Sequence, residues 1–103
     1  MRRPIAMVTA TAAIALLAGC GTSYPRNEEG AFEGSVDRVR EDNLRLNVGS
    51  DTINVDTWSV CGDRTSRHIS VGDELQVFAE RDWFGFDAWR ILTADGEPAC
   101  PQD

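Results

Sequence analysis

The chain has 103 residues, with 17 acidic side chains against 10 arginines, no lysine and a formal charge of −7. That length is enough for one domain and too short for two. A chain this acidic is repelled by phosphate backbones, so a nucleic-acid partner is disfavoured on electrostatic grounds.

At the start, Arg2 and Arg3 precede a mostly apolar run over residues 5–18, which ends in Leu17-Ala18-Gly19-Cys20. A transmembrane helix needs about 20 apolar residues, and this run is shorter and interrupted by Thr9 and Thr11. An ordinary secretory signal cut near Ala18 leaves Cys20 as a free thiol; a lipobox makes it the site of lipidation. The charged start, the apolar stretch and the small residues before the cysteine resemble the bacterial lipoprotein export signal, in which the cysteine carries a thioether-linked diacylglycerol and the chain is cut just before it. The resemblance implies a signal peptide over residues 1–19, a lasting membrane anchor through two or three acyl chains and a domain facing the periplasm. Gly21, rather than an aspartate, follows the cysteine, which in a Gram-negative host implies sorting to the outer membrane. Cleavage removes Arg2 and Arg3, leaving eight basic residues and a formal charge of about −9, which helps hold the domain off the membrane surface.

Residues 21–30 are rich in Gly, Ser, Pro, Asn and Glu, with Tyr24 the only large apolar side chain. With Cys20 they read as a flexible tether, for which ten residues give an r.m.s. reach of about 17 Å. From residue 31 to residue 93 the hydrophobic period is two and no helical stripe appears, an all-β pattern. Phe32, Gly34 and Val36 alternate on a first strand, and Val39 falls out of phase, which predicts a bulge within residues 37–40. Leu44, Leu46 and Val48 make a second strand, joined through Gly49-Ser50-Asp51 to a third with Ile53, Val55 and Thr57 inward and running on to Val60. Residues 61–71 are polar. Gly72-Asp73 then turns into a fourth strand with Leu75, Val77 and Ala79 inward, and residues 81–85 form a hairpin tip. On the last strand Phe86 and Ala88 are in phase and Ile91 is not, so a second bulge is expected near Trp89. Phe32, Phe84 and Phe86 are expected to fill the core. Five short strands, with the longest break between the third and fourth, predict a small five-stranded OB-type barrel, followed by a tail over residues 94–103.

Three cysteines in an exported chain leave one unpaired, and lipidation of Cys20 accounts for it. Cys61 and Cys100 are then expected to form a disulfide, closing a loop of 40 residues worth about 4 kcal/mol by loop-closure entropy. The alternative for these thiols is a metal, but two cysteines and the lone His68 lack a fourth zinc ligand. Glu28-Glu29, Glu41-Asp42 and Asp73-Glu74 do not have the spacing of a calcium loop. No metal or cofactor is expected.

Gly34-Ser35-Val36, Ile53-Asn54-Val55-Asp56, Val71-Gly72-Asp73 before the fourth strand, Asp82-Trp83 and Phe86-Asp87-Ala88 are together similar to the small bacterial periplasmic OB-fold family. There a G-x-V first strand, an I-x-V-D third strand, a V-G-D turn and a D-W hairpin recur. The likeness spans about 60 residues and implies an exported barrel with a loosely defined ligand and no catalytic residues. The chain departs from that pattern in its lipid anchor, in its cysteine pair and in lacking a helix before the first strand, which leaves one barrel end without its cap.

Trp58 and Trp89 have the opposite parity to the inward residues of their strands, and Trp83 is at a hairpin tip, so all three are candidates for an exposed ligand or partner face. Aromatic platforms stack on sugars as well as on bases. The bland alternative is that one tryptophan plugs a barrel end and another packs near Cys61 and Cys100. Arg64, Arg67 and His68 are either a solvated loop or a cationic spot able to take a carboxylate or phosphate through an arginine fork. The expected function is non-enzymatic binding of an envelope glycan, peptide or protein. The alternatives are a structural subunit of a larger envelope complex and, less in keeping with a single histidine, a hydrolase centred on His68.

Overall fold

The computed structural model describes residues 24–101; the expected signal peptide and the lipobox through Cys20 lie outside the described residues. The alternating segments form β1 (Phe32–Val39), β2 (Asn43–Val48), β3 (Asp51–Asp56), β4 (Glu74–Arg81) and β5 (Phe86–Thr93). They close in the order β1-β2-β3-β5-β4, with β4 returning to β1. All neighbours are antiparallel except β3 and β5, which run parallel through Val55↔Phe86 and Asp56↔Asp87. A β1–β2–β3 meander closed by a parallel β3–β5 pair is the topology of an OB-type barrel, and closure removes the exposed strand edges that an open sheet would present.

Both expected bulges are present. On β1 the partner sequence steps from Val36↔Leu46 to Arg38↔Arg45, leaving Asp37 extra. On β5 it steps from Ala88↔Ala79 to Arg90↔Phe78, leaving Trp89 extra. An added residue switches which face later side chains point to, and this is why Ile91 is buried alongside Phe86 and Ala88. The interior is filled by Val36, Leu44, Leu46, Ile53, Val55, Leu75, Val77 and Ala79, the inward positions of the alternating pattern, together with Val48. Gly34 allows β1 to approach β2, since a Cβ there would stand 1.7 Å from the Asn47 carbonyl oxygen.

β1, β3 and β5 begin at the same end of the barrel. There Phe32 and Phe86 pack edge to face, 4.8 Å between centroids, and form the plug that a tryptophan was one candidate to supply. Phe84 does not join them: it is exposed on the β4–β5 hairpin, because the turn through Gly85 directs it outward. The expected flexible tether is laid down on the barrel from Tyr24 onward. Tyr24 packs edge-on to Phe86 at 5.9 Å, and the Arg26 guanidinium sits 4.0 Å over Phe32 and donates to the Gly30 and Ala79 carbonyls. The Asn27 side chain accepts the amides of Glu29 and Ala31. This arm covers the barrel end that Phe32 and Phe86 plug.

The opposite end departs further from expectation. β3 stops at Asp56 and does not run on to Val60; the chain makes two single-turn helices, α1 (Trp58–Cys61) and α2 (Thr65–His68). The Asp56 carboxylate accepts the Trp58 amide at 2.9 Å and turns the chain out of the strand. The Thr57 carbonyl then accepts the amides of Val60 and Cys61. Thr57 is inward as expected, but as the residue before α1, with its hydroxyl bonded to that of Thr65 in a fully buried pair. Single turns are too short to persist alone. These are tied to the barrel by Thr57 and Thr65 amides donating to the Asp42 and Glu41 carbonyls, by buried Ile69 and by the Cys61–Cys100 disulfide, Cα–Cα 5.4 Å. The tail turns back beside β5, with the Thr93 amide donating to Glu97 and the Ala99 amide to Ile91, which delivers Cys100 to Cys61.

Candidate functional site

The β1–β2 loop and the β4–β5 hairpin flank the outer face of β2 and β3. Between them lies an open groove of about 370 Å³, lined by Asp42, Asn43, Asn54, Val55, Asp56, Asp82, Phe84, Gly85 and Phe86. Strand parity places its polar groups: Asn54 and Asp56 alternate outward with Ile53 and Val55 inward, and Asn43 pairs with Asp56 across the ladder. Asp82 is fixed by its turn, its amide donating to the Gly85 carbonyl at 2.8 Å and its carboxylate accepting the Phe84 amide at 2.9 Å. Gly85 lets the hairpin lie against β3, because a Cβ there would come within 2.5 Å of the Asn54 carbonyl oxygen. The groove therefore presents three carboxylates, two side-chain amides and an exposed aromatic ring. Carboxylates accept hydrogen bonds and carry negative charge, so the lining suits hydroxyl and ammonium groups and disfavours phosphate.

The side chains singled out from the sequence fall in three places. Trp58, Arg64 and His68 come together at the disulfide end, lining a shallow concavity of about 690 Å³ with Cys100 and Pro101. Trp58 is 60% exposed, and it is exposed because it begins a helical turn, not because of strand parity. Arg67 is exposed on α2 but does not line that concavity. Trp83 is 95% exposed at the β4–β5 tip, next to Phe84 at 91%. Trp89, 57% exposed, is the bulged residue of β5, and its ring lies 5.2 Å from Phe78. Phe78 points out of the barrel yet is nearly buried, and the Trp89 ring and the Arg90 guanidinium, 5.7 Å from the Phe78 ring, lie against it. Of the three tryptophans, Trp89 thus has a packing role. Cys61 and Cys100 are joined to each other and offer no thiol for metal or nucleophilic chemistry.

No protein-family model, curated protein or solved structure matches this chain. The OB-type assignment rests on strand order and register, and on an OB-type barrel the face of β2 and β3 with its two flanking loops is where ligands lie. Sequence reasoning centred on the tryptophans passed over the groove's own residues, Asp42, Asn43, Asn54, Asp56 and Asp82. The signal was the outward parity of Asn54 and Asp56 on a strand already recognised as the third of the barrel. What was missing was the lateral approach of Asp82, 26 residues further along the chain than Asp56, which only barrel closure supplies.

Proposed function

We propose that this chain is a lipid-anchored, non-enzymatic binding module of the bacterial envelope, held through Cys20 and facing the periplasm, whose ligand is an envelope glycan. The observation that carries this reading is the groove between the β1–β2 loop and the β4–β5 hairpin, with Asp42, Asp56 and Asp82 around Asn43 and Asn54. Carboxylates and amides on a rigid strand face accept hydrogen bonds from sugar hydroxyls, and an amino sugar gains charge attraction as well. The same three carboxylates repel an oligonucleotide. The Gly21 residue after the anchor supports placement in the outer membrane of a Gram-negative host.

Titration of amino-sugar oligosaccharides, their N-acetylated forms and an oligonucleotide, read by amide chemical shifts, tests the assignment. Saturable shifts of Asn54, Asp56 and Asp82 with the sugars, weakened by Asp56→Asn, are expected. That substitution removes the charge but keeps an oxygen to accept the Trp58 amide. Sugar binding that ignores Asp56→Asn, or no response to any sugar, rejects the groove as a glycan site.

A second reading, a structural subunit docked on a larger envelope protein, is favoured by the concavity of Trp58, Arg64 and His68, which the disulfide holds at the end of the barrel away from the arm. Native pull-down of one partner at fixed stoichiometry, lost with Trp58→Ala and retained with Asp56→Asn, would choose it over the first.

A further inference from the structure

We propose that the Trp83–Phe84 tip of the β4–β5 hairpin is a second membrane contact, lying in the interfacial layer of the bilayer that holds the Cys20 anchor; this rests on the lipid-anchored reading above. Trp83 and Phe84 are the most exposed large hydrophobic side chains among the described residues, at 95% and 91%. Neither is a loose loop residue. The Asp82–Gly85 backbone bond and the Asp82 carboxylate on the Phe84 amide fix the turn, and Gly85 lies against β3. Two adjacent aromatic rings held out from a rigid hairpin in this way cost apolar exposure that the core gains nothing from.

What covers them follows from where the anchor leaves the barrel. Tyr24 lines the same small concavity as Thr52, Arg81, Trp83 and Phe84, and it is held there by Phe86. Four residues of chain lead from Cys20 to Tyr24, so at full extension the lipidated cysteine lies within about 14 Å of Tyr24. The anchor and the tip are therefore at one end of the molecule, and a bilayer that receives the acyl chains is within reach of both rings. Tryptophan is the side chain most at home in the interfacial layer, with its ring among acyl carbons and its N–H toward headgroups. The chain's negative charge opposes only anionic headgroups and is screened over about 8 Å at physiological salt, so the contact belongs to a zwitterionic surface.

Docked in this way, the barrel stands with the β1, β3 and β5 starts toward the bilayer. The acidic groove opens sideways along the membrane, and the Trp58 concavity faces away from it.

The test uses the full lipidated chain in phosphatidylcholine vesicles, with Trp58→Phe and Trp89→Phe so that Trp83 alone reports. A blue shift and loss of most Trp83 emission in vesicles of acyl-brominated phosphatidylcholine are expected, with weaker quenching when phosphatidylglycerol is added. A companion chain keeping only Trp58 should remain bright. Trp83 quenched no more than Trp58 overturns the proposal, as does a Trp83 that bromolipid leaves bright while an added amino-sugar oligosaccharide protects it from acrylamide. Intact mass reads the anchor separately. Cys20 without diacyl mass overturns the lipoprotein reading and the proposal with it, whereas lipid present with Trp83 unquenched overturns the proposal alone.

Discussion

The two ends of the barrel are closed by different physics. Where β1, β3 and β5 begin, closure is non-covalent: Phe32 and Phe86 plug the interior, and Tyr24 and Arg26 from the docked arm cover them. Where β1, β3 and β5 end, closure is by two four-residue helical turns that have no stability of their own and are held by a disulfide, a buried hydroxyl pair and backbone bonds to the β1–β2 loop. Apolar side chains on strands close an end by burial alone. A polar segment with few apolar groups needs a covalent link and satisfied buried hydroxyls to do the same. The first end also carries the exposed aromatic tip and the docked arm that begins at Tyr24, and the second carries the Trp58 concavity, so the two modes of closure coincide with two separable surfaces.

The largest expected effect falls on the disulfide end. Cys61→Ser should lower stability by about 4 kcal/mol, read from denaturant midpoints, and hydrogen exchange in the reduced protein should show α1 and α2 opening before β1 and β2. Uniform loss of protection across both ends would erase the distinction drawn between them. Intact mass under non-reducing conditions should show no free thiol at Cys61 or Cys100.

Gly34→Ala tests the strand side of the molecule. Its Cβ meets the Asn47 carbonyl oxygen, so β1 and β2 must separate, at a cost of about 3 kcal/mol, the upper part of the range for overpacking. Protection should then be lost first in β1 and β2, the reverse of the cysteine variant. Thr57→Val sharpens the role of the buried hydroxyl pair, since Thr65 is left without its partner. A loss of about 2 kcal/mol is expected, and Thr57→Val combined with Thr65→Val should recover part of it.

Smaller effects separate packing from surface. Trp89→Ala uncovers Phe78 and should cost about 1 kcal/mol, visible in thermal midpoints. Trp83→Ala removes a side chain that packs on nothing in the barrel and should leave stability within about 0.5 kcal/mol. A larger loss would mean that the tip supports the fold and is not free for a partner.

How far the sequence could be read follows from which residues depend on long-range placement. Both bulges were legible, because Val39 and Ile91 break a period-two pattern and an extra residue is the local remedy. The disulfide followed from cysteine arithmetic once Cys20 was set aside. Thr57 as an inward position was legible too, but α1 was not: after Asp56 the residues Thr57 to Val60 have strand-like composition, and it is the Asp56 carboxylate on the Trp58 amide that ends the strand. Phe84 was assigned to the core on hydrophobicity, and the turn through Gly85 turned it outward. Residues 24–30 have a linker's composition, yet a few well-placed groups, Tyr24, Arg26 and Asn27, suffice to dock them.

By itself the sequence determined the all-β class, the strand inventory, the inward-facing set and the pairing of Cys61 with Cys100, because each depends on alternation along a few residues or on counting. Tertiary structure alone decided which outward residues share a surface. Closing the barrel brings Asp82 and Phe84 beside Asn54 and Asp56, and sets Tyr24 by the Trp83 tip. Those approaches are made across the β3–β5 pair and the docked arm, between segments far apart along the chain, and no local pattern encodes a distance that only closure sets.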